Sequence, residues 1–485
     1  MLSKKIRFNV ESFKKFVHQT MKMFSVPGVT MAIVKDGKGI FLEGFGWRNV
    51  KKKLKVSSHT LFPIASCTKA FTTTAMGILV DEGKLDWDKP VREYLSSFKM
   101  CDSVQTERMT PRDLVTHRSG LPRYDWVWYR ADYLREEIIE RLRHLKPNKD
   151  LRYIYQYQNI MYTTAGYLVG HIAKCSWEEF VQKRIFDPLE MKESNFSIIE
   201  MQKISDYSSG YLKKKNKIIE LPFVNINALG PAGSINSNTV DMAKWLLLNL
   251  NNGKSKNKQI ISEKSLKEIH SPHIVVPEEI SYGEIINPCY GLGWGIISYR
   301  GKKLLQHGGN MDGFQSYTSL MPSEKIGICV LTNLDGSPSP RTIAYYAYDC
   351  LLGLEPIDWN KRAKFEIEKD KKEQMKERRK SALERKKGTK LSHPINDYIG
   401  EFENPAYGKV LIEKKKDKLY LVFHKISYLL KHYHYDMFEF TDPLSDTRRK
   451  VSFQISLKGD IKSLSVNFEP AAELIVFEMK KSEKK

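Results

Sequence analysis

The sequence predicts an α/β protein, an α+β sandwich with a central antiparallel sheet and a helical insertion, followed by a small C-terminal all-β barrel. Two β-rich regions, near residues 29–43 and 314–331, flank a long and mostly helical middle region. A highly charged run over 361–390 then precedes short β-rich runs after Pro394. Strands at both ends of a helical insertion are most simply joined in one sheet.

The N-terminal β-rich region reads as a hairpin. Val29–Val34 and Gly39–Glu43 are apolar runs separated by the turn residues Asp36 and Gly37. The second β-rich region contains two further strands, Phe314–Leu320 and Ile326–Leu331. Between them, the pattern predicts helices near 66–82, 134–145, 161–174 and 239–251.

The charged run 361–390 carries 14 basic and 6 acidic residues, a local charge of +8. Its apolar positions are too sparse for a core-facing stripe, while Glu, Lys and Arg favour helix. We interpret it as a solvated helical linker. The following runs alternate with turn residues, which is typical of an antiparallel sheet that curls into a barrel. The predicted division is therefore a first domain 1–359, a linker 360–391 and a β-barrel domain 392–485.

Composition excludes several classes of protein. The 485 residues include 79 Lys and Arg against 57 Asp and Glu, a formal charge of +22, and 41% are hydrophobic. This is ordinary for a folded chain. No apolar run approaches the ~18–20 residues of a membrane span, and none follows the basic start, so we expect a cytoplasmic protein without a secretory signal. The six cysteines are scattered, and we expect them reduced.

The basic excess raises the alternative of nucleic-acid binding. The basic runs lack interleaved aromatic residues and no nucleic-acid fold motif accompanies them. We therefore predict no specific nucleic-acid partner, with non-specific adhesion to anionic surfaces as the remaining alternative. We predict no metal site and no cofactor.

Ser66-Cys67-Thr68-Lys69 stands at the head of a predicted buried helix. A spacing of three puts Ser66 and Lys69 on one helical face, where the amine can share a hydrogen bond with the hydroxyl. The positive end of the helix favours an oxyanion formed there. The arrangement suits a nucleophile, and an N-cap serine beside an exposed lysine is the alternative.

Tyr157-Gln158-Asn159 is the second candidate element. Two residues apart on an extended loop, a phenol and an amide can point into one cleft, as proton acceptor and as donor to a substrate carbonyl. A core tyrosine beside a turn-forming asparagine is the alternative.

His307-Gly308-Gly309-Asn310 is the third element. Two glycines after a strand let a substrate backbone approach the sheet edge without a Cβ in the way. The next amide, on Asn310, can point at an oxyanion. The alternative is a glycine-rich turn with a surface histidine.

The order Ser-x-x-Lys, Tyr-x-Asn, His-x-Gly resembles the serine hydrolases of the class C β-lactamase and D-Ala-D-Ala carboxypeptidase B superfamily, which has the penicillin-binding-protein-like fold. Further similar segments occur in family order between residues 25 and 355, and they include Phe62–Lys69, Leu114–Pro122, Trp177–Val181, Ile185–Met191, Pro231–Ser234 and Tyr290–Gly295.

The resemblance implies residue roles. Ser66 is expected to be the acylated nucleophile, with Lys69 and Tyr157 as a coupled base. Asn159 would hold the substrate amide, and His307 would complete the hydrogen-bond network to Tyr157. The backbone N–H groups of Ser66 and Asn310 would form the oxyanion hole, beside Gly308 and Gly309.

The resemblance also implies a function, a peptidase or esterase that acts on a small peptide, amide or ester. Many β-lactamases carry Lys-Thr-Gly where this chain has His307-Gly-Gly309, which disfavours β-lactamase activity but leaves it as an alternative. A catalytically weak scaffold is another. Tyr398–Gly408 and His432–Asp436 resemble the lipocalin-like barrel of some cytoplasmic members, which implies a homo-oligomer through this barrel.

Overall fold

The chain forms two nine-stranded antiparallel sheets, one in each of its two parts. A computed structural model describes residues 8–215, 217–277 and 282–480. The ends of the predicted domains, 1–7 and 481–485, lie outside the described residues.

The first sheet joins strands from both sides of the helical insertion. Gly28–Lys35 pairs with Ile326–Thr332, from Val29 opposite Thr332 to Lys35 opposite Ile326. The strands in spatial order are Ile274–Val275, Ile285–Tyr290, Gly295–Tyr299, Lys302–Met311, Phe314–Met321, Ile326–Thr332, Gly28–Lys35, Lys38–Asn49 and Leu54–Lys55. The predicted assembly of this sheet is confirmed.

Both faces of this sheet are covered, so its central strands are buried along their length. Met31 and Ile33 face a core that includes residues of the helices Val10–Phe24 and Ser339–Leu351. Ala32 and Val34 face the core of the helical insertion. Alternate residues of a strand point to opposite faces, and here both faces meet apolar layers.

The insertion contains the predicted helices and several short ones. Its helices are Lys69–Asp81, Ser103–Arg108, Pro111–Val115, Arg135–Glu140, Asn159–Ala173, Trp177–Val181, Asp187–Leu189, Ile198–Met201, Gly230–Gly233, Thr239–Leu250 and Glu263–Ile269. Two-stranded pairs join Phe62–Pro63 to Asn236–Ser237, Gly210–Lys214 to Lys217–Leu221, and Lys254–Ser255 to Lys258–Gln259.

The charged run forms the helix Trp359–Glu384. Its first turn is packed, with Trp359, Asn360 and Ala363 buried, and most of the remaining side chains are exposed. The division of the chain at 359 and 391 stays a prediction. Within the described part of the chain, none of the helices combines the length and apolar character needed to cross a bilayer.

The second sheet is a nearly closed barrel. Its strands in spatial order are Ile426–Leu429, Lys418–Phe423, Gly408–Lys415, Gly400–Asn404, Ile475–Met479, Ile461–Val466, Arg448–Ile455, Met437–Thr441 and Lys431–His434. The two edge strands are consecutive in the chain, with Leu430 between them. In Lys418–Phe423 exposed or half-buried side chains alternate with buried ones, the pattern of a sheet with one apolar inner face. The predicted all-β barrel is confirmed.

Candidate active site

Ser66 lies on a tight turn that leads into the helix Lys69–Asp81. The turn, Ala65–Thr68, is a 3-10 helix, and Ala65 has a φ of 47°. This left-handed conformation is costly for a residue with a Cβ and is typical of functional turns. The Ser316 hydroxyl donates to the Ile64 carbonyl at 2.7 Å. The turn is therefore held against the first sheet.

Lys69 is fully buried and lies beside Ser66. Its Nζ is 3.0 Å from Ser66 Oγ, 2.8 Å from Asn159 Oδ1 and 2.7 Å from the Ala232 carbonyl oxygen. A neutral amine has two N–H groups and one lone pair. The two carbonyl oxygens can take the N–H groups, which leaves the lone pair facing the Ser66 hydroxyl.

The electrostatics of Lys69 favour that neutral form. Burial lowers the pKa of Lys69 well below its ordinary value, and the positive charge of Arg123 lowers it further. The nearby Asp125 acts in the opposite sense and raises this pKa. Burial and Arg123 outweigh Asp125, so Lys69 is suited to accept a proton.

Tyr157 completes a triangle with Ser66 and Lys69. Its ring centroid is 4.9 Å from Lys69 Nζ and 4.1 Å from the ring of the buried His117. Burial raises the pKa of Tyr157 far above its ordinary value, although a hydrogen bond with Ser66 lowers it in part. The phenol is therefore protonated in the resting site.

Asn159 begins the helix Asn159–Ala173, and the prediction of an extended loop at this residue is wrong. The Gln158 side chain caps the helix by accepting the N–H of Ile160 at 2.8 Å. The Asn159 Nδ2 donates to Asp125 Oδ1 at 3.0 Å, while its oxygen accepts from Lys69. Both polar atoms thus have partners within the protein, and the expected contact with a substrate amide stays a prediction.

His307 is buried in the strand Lys302–Met311. Its Nδ1 lies 2.6 Å from the Gly308 carbonyl oxygen, which can only accept, so Nε2 is the nitrogen without a proton. Nε2 is 3.0 Å from the Tyr290 hydroxyl. The ring centroids of His307 and Tyr157 are 6.3 Å apart. The side chain that hydrogen-bonds to His307 is thus Tyr290, whereas the resemblance implied Tyr157.

The two glycines lie within this strand, not after it as predicted. A Cβ on Gly309 would lie 2.2 Å from both Ile64 O and Ser316 Oγ, so Gly309 lets the strand approach the turn that carries Ser66. A Cβ on Gly308 would meet only one atom within 4 Å, the Ser316 carbonyl oxygen at 3.9 Å. Gly308 therefore leaves the pocket side of the strand open, and its role in substrate approach stays a prediction.

A cavity of about 540 Å³ opens over these residues. Ser66, Tyr157, Asn159, His307, Gly308, Gly309 and Asn310 all line it. Lys69 lies beneath Ser66. The structure therefore brings the three motifs, which span 66–310 in the sequence, into one pocket. Its volume is in the range of small-molecule sites.

Arg123, Asp125 and Tyr290 are among the residues of this pocket that sequence reasoning missed. Arg123 Nε donates to Asp125 Oδ2 at 2.7 Å, and its guanidinium lies 4.8 Å from the Tyr157 ring centroid. Tyr290 is the first residue of Tyr290–Gly295, a segment that the sequence analysis gave as similar to the family without assigning a role to Tyr290. Arg123 and Asp125 lie just after the similar segment Leu114–Pro122, but no local sequence pattern indicates that their side chains line the pocket.

The chain belongs to the beta-lactamase family. A family model described as Beta-lactamase matches residues 13–352, and one described as Domain of unknown function (DUF3471) matches 384–479. Together with the fold, the first match defines the class of protein as a hydrolase.

Curated proteins give two similar sequences. The chain is 28% identical over 440 residues to Unguisins hydrolase ungD' of Aspergillus campestris, a match that covers 84% of this chain and 79% of that protein. It is 27% identical over 342 residues to Protein flp of Staphylococcus aureus strain N315, a match that covers 69% of this chain and 65% of that protein. The chain thus spans slightly less than two thirds of the second relative.

Solved structures give two similar folds. The octameric penicillin-binding protein homologue from Pyrococcus abyssi has a TM-score of 0.63 and 25% identity, with 97% of this chain and 100% of that chain covered. The D-amino acid amidase from Ochrobactrum anthropi SV3, complexed with L-phenylalanine amide, has a TM-score of 0.59 and 23% identity. The match covers 70% of this chain and 97% of that chain. The second likeness concerns the fold alone.

Proposed function

We propose that the protein is a serine hydrolase, a peptidase or esterase, that forms an acyl-enzyme on Ser66 with a small peptide, amide or ester. The observation that carries this proposal is the position of the Lys69 amine, 3.0 Å from Ser66 Oγ, with two carbonyl oxygens on its other side. A desolvated lysine beside a serine is an established way to activate the hydroxyl.

In the first step, the Lys69 amine takes the proton of Ser66 as Oγ attacks the substrate carbonyl carbon. The carbonyl π pair moves to oxygen, and the backbone N–H groups of Ser66 and Asn310 are proposed to stabilise that oxyanion. Return of the π pair breaks the bond to the leaving group, which takes a proton from the neighbouring Tyr157 phenol, itself re-protonated by Lys69. In the second step, the neutral Lys69 amine takes a proton from a water molecule as the water oxygen attacks the acyl carbon. The bond from that carbon to Ser66 Oγ then breaks, Oγ takes the proton back from Lys69, and the acid product leaves.

The lining of the pocket supports a small substrate with an apolar group. Trp128, Tyr129 and Tyr155 supply aromatic surface, and Val224 and Ile226 supply aliphatic surface. The name of one similar protein, a hydrolase, agrees with a hydrolytic reaction. We include β-lactams as an alternative substrate, tested in the same panel.

The first test is labelling with a fluorophosphonate probe. Wild type should be labelled and Ser66→Ala should not. Ser96→Ala is the matched control, because Ser96 also has a lysine three residues on but lies exposed; it should be labelled like wild type. Equal labelling of wild type and Ser66→Ala contradicts the proposal. A panel of D- and L-amino acid amides, short peptides, short-chain esters and nitrocefin then identifies the substrate class.

We also propose a homo-oligomer that forms through the C-terminal barrel and a cytoplasmic location. The octameric homologue, aligned over 97% of this chain, supports the oligomer. Sedimentation of the full chain should show a species larger than 56.3 kDa, and a monomer at micromolar concentration contradicts it. A stable assembly without turnover on the panel would favour the alternative of a scaffold.

A further inference from the structure

The segment 123–133, here called the wall segment, separates the pocket from the C-terminal barrel. Arg123, Asp125, Trp128 and Tyr129 line the pocket. Tyr124, Trp126 and Tyr133 lie against residues of the barrel. One side of the wall segment therefore lines the pocket, and the other side, here called the docking side, packs against the barrel.

Trp126 is the centre of the docking side. Its ring centroid is 4.7 Å from that of Phe468, at an interplanar angle of 19°, and 6.2 Å from that of Phe423, at 24°, so Trp126 stacks with these two aromatic rings of the barrel. The Arg449 guanidinium lies 5.0 Å from its centroid. Stacked aromatic contacts and a cation over an indole face are both attractive, so these contacts hold Trp126 against the barrel.

Hydrogen bonds attach the backbone on both sides of Trp126. The Tyr124 N–H donates to Glu469 Oε2 at 3.0 Å. The His424 Nδ1–H donates a hydrogen bond to the Tyr129 carbonyl oxygen at 3.0 Å. The barrel thus holds the wall segment at three successive points, and the segment cannot shift without breaking contacts with the barrel.

Asp125 connects this anchored segment to the reacting groups. Its Oδ1 accepts from Asn159 Nδ2 at 3.0 Å and from Trp128 Nε1 at 3.1 Å. The Asn159 oxygen in turn accepts from Lys69 at 2.8 Å. Because a carboxylate only accepts, Asp125 requires the amide nitrogen of Asn159 to face it, which turns the amide oxygen towards Lys69.

We propose that the C-terminal barrel positions the active site: Trp126, stacked in the barrel, fixes Asp125, and Asp125 sets the orientation of Asn159 and the hydrogen bonding of Lys69. Trp126 and Asp125 are positioning residues in this scheme. The inference rests on the proposed function for its catalytic readout, but its structural part does not depend on turnover.

The test compares Trp126→Ala with wild type in the full chain, by hydrogen–deuterium exchange and by the rate of fluorophosphonate labelling. We expect faster exchange over 123–130 and at 157–159, and labelling that is slower by about 10- to 100-fold, since small misplacements of reacting groups have effects of this size. Trp126→Phe should recover most of the rate because it keeps an aromatic ring.

The matched control is Phe453→Ala. Phe453 packs in the barrel against Tyr398, Phe402 and Phe438, none of which is among the residues contacted by the wall segment above. It should lower the stability of the barrel and leave exchange over 123–130 unchanged. Equal acceleration in Phe453→Ala and Trp126→Ala overturns the positioning role, and so does unchanged exchange in Trp126→Ala. Should Trp126→Ala not fold, Trp126→Leu replaces it, because it fills the barrel without stacking.

Asp125→Asn tests the second link. Its amide can present either polar atom to Asn159, so the orientation is no longer enforced. We expect kcat to fall about tenfold with little change in KM, and unchanged exchange over 123–130. An unchanged kcat removes Asp125 from the scheme. If wild type and Ser66→Ala are labelled equally, the serine mechanism fails, and the exchange measurements still decide whether the barrel holds the wall segment.

Discussion

The floor and the wall of the pocket are built in different ways. The floor consists of Ser66, Lys69 and Tyr157, and the helices and sheet of the first part of the chain bury it. The wall segment 123–133 is partly exposed on its pocket side and is held from behind by the barrel. The proposed proton transfer therefore depends on groups buried within the first part of the chain, while the shape of the pocket depends on packing between that part and the barrel.

Replacing Lys69 should have a larger effect on kcat than replacing Tyr157, Arg123 or His307. Lys69→Met keeps most of the buried volume but removes the proton acceptor, so kcat should fall about 10²- to 10⁴-fold, the usual contribution of a general base. The measurement is the rate of ester or amide hydrolysis, with Lys99→Met, a change at an exposed lysine, as the control. A fall in kcat of less than fivefold would contradict the assignment of Lys69 as the base.

Tyr157→Phe removes the phenol and keeps the ring that packs on His117. We expect a smaller loss in kcat, about 10²-fold, because Lys69 remains. The loss should be greater for amides than for activated esters, since an amide leaving group needs a proton. Equal losses for both substrates would contradict the assignment of Tyr157 as proton donor.

Arg123→Gln tests whether the positive charge of the wall segment lowers the pKa of Lys69 in the floor of the pocket. Arg123 lowers the pKa of Lys69, while Asp125 and Cys67 raise it. Loss of the positive charge should therefore raise this pKa, so that Lys69 stays protonated to higher pH. The acidic limb of kcat/KM is expected to move to higher pH. Arg130→Gln is the control because Arg130 pairs with Asp312; a limb that moves equally in both variants refutes this reading.

His307→Gln should have the smallest effect. Burial lowers the pKa of His307 to about 3, so the imidazole stays neutral at working pH. A glutamine can keep a hydrogen bond to Tyr290, and the loss should be that of one weakened bond, about 0.5–1.5 kcal/mol, or 2- to 13-fold in kcat/KM. Tyr290→Phe should match it. The pH profile of kcat/KM is the measurement that checks this. If wild type has a limb near neutral pH that is absent in His307→Gln, then His307 titrates in catalysis and the expectation is contradicted.

The parts predicted from the sequence are those that local patterns specify. The Ser66–Lys69 spacing belongs to a single turn, and the strands around residues 29–43 and 314–331 follow from continuous apolar runs. The charged segment was predicted to be helical from its composition, and the barrel from the alternation along its strands. The family order of the motifs further implied that Tyr157 and His307 approach Ser66.

Three features of the site were not predicted. Tyr290, and not Tyr157, bonds His307; Gly309 contacts the turn of Ser66; and Asp125 reaches Asn159, 34 positions away. Each contact joins segments that lie far apart in the chain. Residue types and spacings within a segment do not report which segment will pack against it.

By itself, the sequence determined which chemical groups are present and which of them share one turn or one strand, because backbone periodicity depends on near neighbours. Only the tertiary structure decided that the wall segment lies between the pocket and the barrel, with Trp126 stacked against Phe468. That arrangement follows from the burial of aromatic surface where the wall segment packs against the barrel, in a hydrophobic cluster that continues from the helical insertion into the barrel. Such burial is a property of the packed elements together and not of any one segment.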